Sequence, residues 1–333
     1  MGVGLVQGKL AKPLGRTSPA NLICSLQIDS PSLNWEIAQS LSRLWARVAT
    51  FYDPPDILPS GTIVIIPSML ERGRVVVVTG SGGTGCGRAI AVRFAGDGAA
   101  VVVSDIDEDG GRATVRLIEE HGGRAVFVRA DVGDDLQARQ LIEFAVATFG
   151  GLSVLVNNAS SPFPDAEGVA GWRRSIQTDL LGTVYATQWA IDAMRRSGGG
   201  AIVNISSISA LWHGRKTPHG FPGYDVAKAG VIRFTTGVAR DVAKDGIRVN
   251  CLAPGWIGTD GPRQYWESLT PDQRVERGVP SQLLAIEDVA GMVVRLATDE
   301  SLNGRVVVWW SEGPPRLIPW GDRGYRLVDE FER

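Results

Sequence analysis

Tyr224 and Lys228 stand four residues apart in Gly223-Tyr-Asp-Val-Ala-Lys-Ala-Gly230. On a helix that spacing puts both side chains on one face, so the ammonium lies beside the phenol. An ordinary tyrosine ionises only near pH 10, and a neighbouring cation favours its phenolate. A phenol tuned this way passes a proton to or from a substrate oxygen. Interconverting an alcohol and a carbonyl also needs a hydride carrier beside that phenol.

The chain's glycines show where such a carrier would bind. Val75-Val-Val-Val-Thr-Gly-Ser-Gly-Gly-Thr-Gly-Cys-Gly87 reads as a strand, a glycine turn and the start of a helix. Gly80 permits a tight exit from the strand, Gly85 lets the backbone approach a pyrophosphate, and Gly87 lets the helix pack on the sheet. The amides and positive end of the following helix then meet the phosphates. Cys86 lies among them. A helix N-terminus can acidify a thiol, but a small apolar filler is the preferred reading of this one.

The next strand ends at Asp105, eighteen residues after Gly87. There a carboxylate meets the hydroxyls of an adenosine ribose, although an aspartate also suits a plain turn after a strand. Its charge would repel a 2′-phosphate. No basic residue lies inside the glycine loop, and Arg88 is expected to point along its helix. The expected cofactor is therefore NAD(H) rather than NADP(H).

These residues need a scaffold, and from Arg74 onward the sequence supplies one. Strand-like runs at Val75–Val78, Ala100–Ser104, Ala125–Arg129, Leu152–Val156, Ala201–Ile205, Ile247–Leu252 and Arg305–Val308 alternate with helical patterns. The helices fall near 86–97, 109–121, 135–149, 170–196, 225–244 and 286–298. Continuous apolar strands alternating with helices predict an α/β fold: a single doubly wound, Rossmann-like parallel sheet with helices on both faces. That domain is expected over 71–315, after an N-terminal extension of uncertain order over 1–70 and before a C-terminal tail over 316–333. Within the extension, Asn34–Tyr52 reads as an amphipathic helix and Thr62–Ile66 as a short strand. The extension reads as dispensable; the alternative is an accessory segment capping the sheet or an oligomer face.

The chain has 333 residues, 44% of them hydrophobic, with a net charge of −2. This suits a globular protein with a large core and implies no nucleic-acid partner. Cys24, Cys86 and Cys251 are odd in number and widely spaced, which suits reduced thiols and no metal site. No apolar run spans a membrane and the start lacks the order of a secretory signal, so a cytoplasmic location is expected.

Over roughly Arg74 to Val308 the sequence resembles the short-chain dehydrogenase/reductase family. Thr79, Gly80, Gly85 and Gly87 match its Thr-Gly-x-x-x-Gly-x-Gly loop with one extra residue between the first two glycines. Asp131-Val132 resembles its adenine-contacting pair, and Asn157-Asn158-Ala159 its Asn-Asn-Ala-Gly strand end, with Ser160 in place of the last glycine. Ile205-Ser206-Ser207 is similar to the segment carrying its catalytic serine, and Tyr224 and Lys228 match its Tyr-x-x-x-Lys motif. Pro254-Gly255-Trp256-Ile257-Gly258-Thr259 resembles the loop that closes over the nicotinamide.

The resemblance implies roles. Tyr224 would be the acid/base, Ser207 would hydrogen-bond the substrate oxygen, and Lys228 would bind the nicotinamide ribose and tune Tyr224. Asn158, Ala159, Pro254, Gly255 and Ile257 would contact the cofactor, and Thr259 would sit near its pyrophosphate and carboxamide.

The chain departs from the family pattern in three further places. Asp179-Leu-Leu-Gly182 stands where the family has Asn-Leu-x-Gly, whose asparagine supports a proton path to the lysine. Asp179 would either stabilise the Lys228 charge while opposing a tyrosinate, or serve as a substitute relay. Ser207 precedes Tyr224 by seventeen positions, more than the family's usual interval. The additional residues around Leu211–Pro222 are expected to bulge over the site, with His213 and His219 as ordinary loop residues. The last strand runs into Trp309-Trp310-Ser-Glu-Gly-Pro-Pro315 in place of Asp-Gly-Gly.

Specificity is expected from Ser160–Trp172, 208–223 and a lid from Gly255 to about Gln282, which carry Phe163, Trp172, Trp212, Trp256, Tyr265, Trp266 and Leu269. That rim suggests an apolar or alicyclic secondary alcohol or ketone. A homodimer or homotetramer is expected through helices near 170–196 and 225–244. The alternative to an NAD-dependent oxidoreductase is a nucleotide-binding scaffold or redox-sensing regulator with impaired turnover.

Overall fold

A computed structural model describes residues 73–161, 168–211 and 221–321, all within one compact unit, Leu70–Arg333. The helix and strand expected in the extension, and Phe163, Trp212, His213 and His219, lie outside the described residues. The strands are β1 (Val75–Thr79), β2 (Ala100–Asp105), β3 (Arg124–Arg129), β4 (Val154–Asn157), β5 (Gly200–Ile205), β6 (Ile247–Pro254), β7 (Val306–Trp309) and β8 (Arg316–Leu317). They form one sheet in the order β3-β2-β1-β4-β5-β6-β7-β8.

Pairing is parallel from β3 through β7, as the apolar runs predict. β8 is the exception. It pairs antiparallel with β7, Val308 opposite Arg316, so the segment expected as a separate tail begins as an edge strand of the sheet.

The pleat divides the core in two. Val76 and Val78 of β1 turn toward Ile90 and Phe94 of α1 (Cys86–Gly96) and Val293 and Leu296 of α9 (Ile286–Thr298). Val75 and Val77 turn to the other face, toward Leu141 and Ile142 of α3 (Asp135–Phe149) and Met194 of α5 (Gly182–Ser197). Each such side chain contributes about 1.5–3 kcal/mol when fully buried. Burial on both faces explains why these strands read as unbroken apolar runs rather than alternating ones.

The strand order reverses between β1 and β4. After β1 the chain winds outward through β2, α2 (Glu108–Glu120) and β3, then returns across the sheet to β4. The C-terminal ends of β1 and β4 therefore diverge into a crevice, the place where a doubly wound sheet binds its ligand.

The helical pattern expected over 170–196 is not one regular helix. It comprises α4 (Val169–Ser175), a π-helical turn at Ile176–Leu181, and α5. The wide turn brings Asp179 fully inside the protein. Such single-turn bulges cluster at functional sites. Helix α6 (Pro222–Val242) packs across it, starting on a proline whose missing N–H suits a first helical position.

Candidate active site

The crevice is closed by backbone contact at its base. Gly80 has φ +64°, and a Cβ there would lie 2.6 Å from Ala159 Cα. A Cβ on Gly87 would lie 2.1 Å from Gly80 O and 2.6 Å from Asn158 Nδ2. Both positions thus require glycine, the first for conformation and space, the second for space alone. Asn158 Nδ2 donates to Thr79 O at 3.0 Å and Gly80 O at 2.9 Å, while Thr79 Oγ1 accepts from the Asn158 and Ala159 amides. The Asn158 side chain therefore braces the join between β1 and β4.

Helix α1 starts at Cys86 with Gly85 as its N-cap. No side chain caps it and no acidic residue occupies its first turn. Uncapped amides at the positive end of an eleven-residue helix, beside glycines that admit close backbone approach, fit a dinucleotide pyrophosphate. At the exposed edge of the loop, Thr84 Oγ1 donates to the Asp260 carboxylate. Thr259 Cγ2 stands 3.4 Å from where a Gly85 Cβ would be, so the Pro-Gly segment does reach the glycine loop.

Asp105 sits at the end of β2. Its Oδ2 accepts from the Gly82 amide at 2.7 Å and its Oδ1 from the Asp107 amide at 3.0 Å. The second bond is the local turn that the sequence also allowed. Arg88 departs from expectation. It folds back instead of following its helix, giving Nη2 to Gly82 O at 2.9 Å and Nε to Thr114 Oγ1 at 3.0 Å. The guanidinium fork satisfies a loop carbonyl that a side chain running along the helix would leave unpaired.

Burial pushes the Cys86 thiol up to about 11, with the Glu287 carboxylate adding to the effect. The thiol is thus protonated at neutral pH, as a filler would be and a reactive thiolate would not. Asp131 is exposed, with Oδ1 accepting from the Gly133 amide at 2.9 Å, and Val132 is buried in the second core face.

Beyond the crevice, β5 leads to two serines with different surroundings. Ser206 is buried and its Oγ donates to Lys228 O at 2.7 Å, which fixes α6 to the strand end. Ser207 is half-buried and its Oγ accepts from the Ser209 amide at 3.2 Å. Lys228 is buried; its Nζ donates to Ile205 O at 3.1 Å and lies 5.4 Å from the centroid of the half-buried Tyr224 ring. The i, i+4 spacing therefore does what it predicts: ammonium and phenol ring are adjacent.

Asp179 joins this group from the π-helical turn. Its Oδ2 is 3.7 Å from Lys228 Nζ and accepts from Ser160 Oγ at 2.7 Å, and its Oδ1 accepts from the Ser161 amide at 2.7 Å. Sequence reasoning noticed Ser160 as a replaced glycine and as the start of the Ser160–Trp172 specificity segment; its partnership with Asp179 has no short-range signal.

Pro254 ends β6 opposite Trp309, and the Pro-Gly segment leans on the residues just past that tryptophan. The Gly255 amide donates to Trp309 O at 2.7 Å, the Trp256 amide donates to Ser311 Oγ at 2.7 Å, and a Gly255 Cβ would meet that same Oγ at 2.6 Å. Ile257 and Leu284 form a bridge that closes the base of the lid. Above it lie α7 (Asp260–Glu267) and α8 (Pro271–Glu276), with Trp256 and Tyr265 stacked at 6.0 Å and Arg274 over Trp266 at 3.4 Å. Of the rim residues, Trp172 and Tyr265 are exposed, whereas Leu269 is buried and packs inward.

Among the described residues no three His, Cys, Asp or Glu side chains are arranged to hold a metal ion, and no helix is long and apolar enough to cross a membrane. A cavity of about 400 Å³ opens at the opposite end of the strands, between Arg74, Gly199, Gly246 and Arg248, far from every motif residue.

Known proteins share this fold. The sequence family described as short chain dehydrogenase matches residues 74–269. The chain is 42% identical over 235 residues to cis-4-hydroxycyclohexanecarboxylate dehydrogenase of Sinomonas cyclohexanicum, covering 68% of this chain and 90% of that protein. It is 39% identical over 259 residues to 3beta-hydroxysteroid dehydrogenase 1 of Eggerthella lenta, covering 74% and 95%. Among solved structures, 7α-hydroxysteroid dehydrogenase complexed with NADH and 7-oxo glycochenodeoxycholic acid superposes with a TM-score of 0.65 at 29% identity, covering 74% of this chain and 96% of the other.

Proposed function

This chain belongs to the short-chain dehydrogenase family and is an oxidoreductase of Rossmann-like fold, and on that premise we propose that it interconverts an alicyclic secondary alcohol and the corresponding ketone with NAD(H). The observation that carries the reading is the buried Lys228 ammonium beside the Tyr224 ring, on the side of the sheet where the dinucleotide crevice opens. Tyr224 takes the hydroxyl proton in oxidation and returns it in reduction. Ser207 hydrogen-bonds the substrate oxygen and steadies the charge that builds on it. A nicotinamide cofactor, when bound, supplies the hydride chemistry.

Gly80, Gly85, Cys86 and Gly87 would line the pyrophosphate site through their backbone. Asp105 would take the ribose hydroxyls on lone pairs left over from its two amide bonds, and its charge favours NAD(H). Asp131, Val132, Asn158, Ala159, Pro254, Gly255, Ile257 and Thr259 would complete the cofactor's surroundings. The substrate class is supported by relatives named for a hydroxycyclohexane ring and for steroids, and by exposed Trp172 and Tyr265 at the rim. We propose a cytoplasmic homodimer or homotetramer joined through α4–α5 and α6.

The decisive test is oxidation of alicyclic secondary alcohols with NAD⁺ by the wild-type protein and Tyr224→Phe. Loss of turnover by about 10²–10⁴-fold in the variant, with NADH binding retained, is the expected result. A wild-type protein that binds NADH and turns over no such alcohol returns the scaffold reading. Titration with NADH and NADPH, alone and in Asp105→Ala, checks cofactor choice: equal affinity for both nucleotides in the wild type refutes the NAD preference.

A further inference from the structure

Ser160 and Asp179, two positions at which the chain departs from its family's pattern, are nineteen residues apart and in direct contact. The Asp179 carboxylate is fully buried, and a buried carboxylate requires a donor at each oxygen. The Ser161 amide serves Oδ1 and the Ser160 hydroxyl serves Oδ2, both at 2.7 Å. An uncharged amide at 179 would carry a donor of its own and demand less. The Oδ2 held by Ser160 is also the atom 3.7 Å from Lys228 Nζ.

We propose that Ser160 and Asp179 form one positioning unit for Lys228. The hydroxyl fixes the carboxylate; the carboxylate fixes the ammonium against Ile205 O and beside Tyr224, and offsets part of its charge. The inference rests on the oxidoreductase reading. Other titratable groups stand on the same elements: α6 carries Asp225 beside Tyr224 and Lys228, and α4, packed on α6, carries Arg173 and Arg174. Asp179 comes from the π-helical turn, and β6 contributes the Cys251 thiol, which burial pushes up to about 12 and so keeps neutral. The ends of β4 and β5 present uncharged polar side chains, among them Asn157, Asn158, Asn204, Ser206 and Ser207.

The consequence has a sign. Alcohol oxidation needs a proton acceptor at the substrate hydroxyl, and the ammonium beside Tyr224 favours that role. Replacing the carboxylate by an amide removes the charge that offsets the ammonium, so the rising limb of the pH–rate profile for alcohol oxidation is expected to move to lower pH.

The test uses Ser160→Ala, Asp179→Asn and the double variant, each with kcat/KM for alcohol oxidation against pH, NADH affinity and melting temperature. Ser160→Ala is expected to lower kcat/KM about tenfold, the effect of losing a hydrogen bond to a charged group. Asp179→Asn is expected to shift the rising limb to lower pH by roughly half a unit or more. In the Asp179→Asn background, losing the Ser160 hydroxyl is expected to change kcat/KM less than about twofold, with the same non-additivity in melting temperature. Additive variants, or a limb that stays in place in Asp179→Asn, overturn the proposal while leaving the oxidoreductase reading intact. A wild-type protein inactive on every secondary alcohol overturns both.

Discussion

The glycine loop and the aromatic lid meet at Gly85 and Thr259, yet they differ in what limits substitution. The loop is fixed by backbone against backbone: Gly80 on Ala159, Gly87 on Gly80, and an asparagine amide across both. The lid has a backbone bridge at its base, and above it side chains do the holding: stacked rings, an arginine over Trp266, and serine hydroxyl bonds between the lid and the chain after β7. A cradle for a ligand part that never varies can be built from atoms every residue has. A lid over a variable substrate is built from side chains, which can change without moving the sheet. The cofactor half should therefore be brittle to substitution, and the lid half graded.

The largest expected effect lies in the loop. Gly87→Ala places a methyl 2.1 Å from Gly80 O, and neither that carbonyl nor Asn158 Nδ2 can retreat without opening the join between β1 and β4. The expected loss is on the order of 3 kcal/mol of stability, at the upper end for overpacking, with NADH binding lost. Thermal melting and fluorescence titration check it. A stable Gly87→Ala protein with ordinary NADH affinity would show that the loop is as forgiving as the lid, and the contrast would fall.

This difference also governs what the sequence reveals. Seven strands and the glycine positions were legible because each depends on local pattern: a buried strand reads as an apolar run, and a close approach demands a residue without Cβ. Tyr224 and Lys228 were legible because helical spacing alone brings them together. What stayed hidden depends on partners distant in the chain. Arg88 turns back because the Gly82 carbonyl is there to meet it. The Ser160 hydroxyl finds Asp179 only because a π-helical turn points the carboxylate inward, and an i→i+5 turn leaves no periodic mark. β8 is two residues long, too short to show any alternation.

An intermediate effect is expected where the lid leans on the C-terminal segment. Ser311 is buried, and its Oγ accepts from the Trp256 amide at 2.7 Å and donates to Trp256 O at 3.2 Å. Ser311→Ala removes both bonds and leaves a half-buried amide without that acceptor, costing about 1 kcal/mol. Because Trp256 begins the lid, faster NADH release in stopped-flow fluorescence should accompany the lower melting temperature. Equal melting loss with unchanged release would mean that the segment stabilises the sheet edge and leaves the lid's motion alone.

The smallest effect sharpens the comparison through pH. Glu312 sits next in the same segment, and its Oε1 accepts from Ser281 Oγ and the Ser281 amide, both at 2.7 Å. The Ser281 hydroxyl, then its amide, hold the Glu312 carboxyl below its ordinary value. A carboxyl depressed in the folded state contributes stability at pH above its unfolded value and loses it as pH falls through the folded one. The group is fully exposed, so solvent screening keeps that contribution small. Glu312→Gln should lower the melting temperature less than Ser311→Ala at neutral pH, and Glu312→Gln and the wild type should converge as pH drops below the carboxylate range. The join between β1 and β4 at the base of the loop has no equivalent dependence, since its contacts at Gly80 and Gly87 involve no titrating atom. A pH-independent difference between Glu312→Gln and wild type would therefore place the clamp's strength in packing rather than charge, and bring the lid closer in kind to the loop it covers.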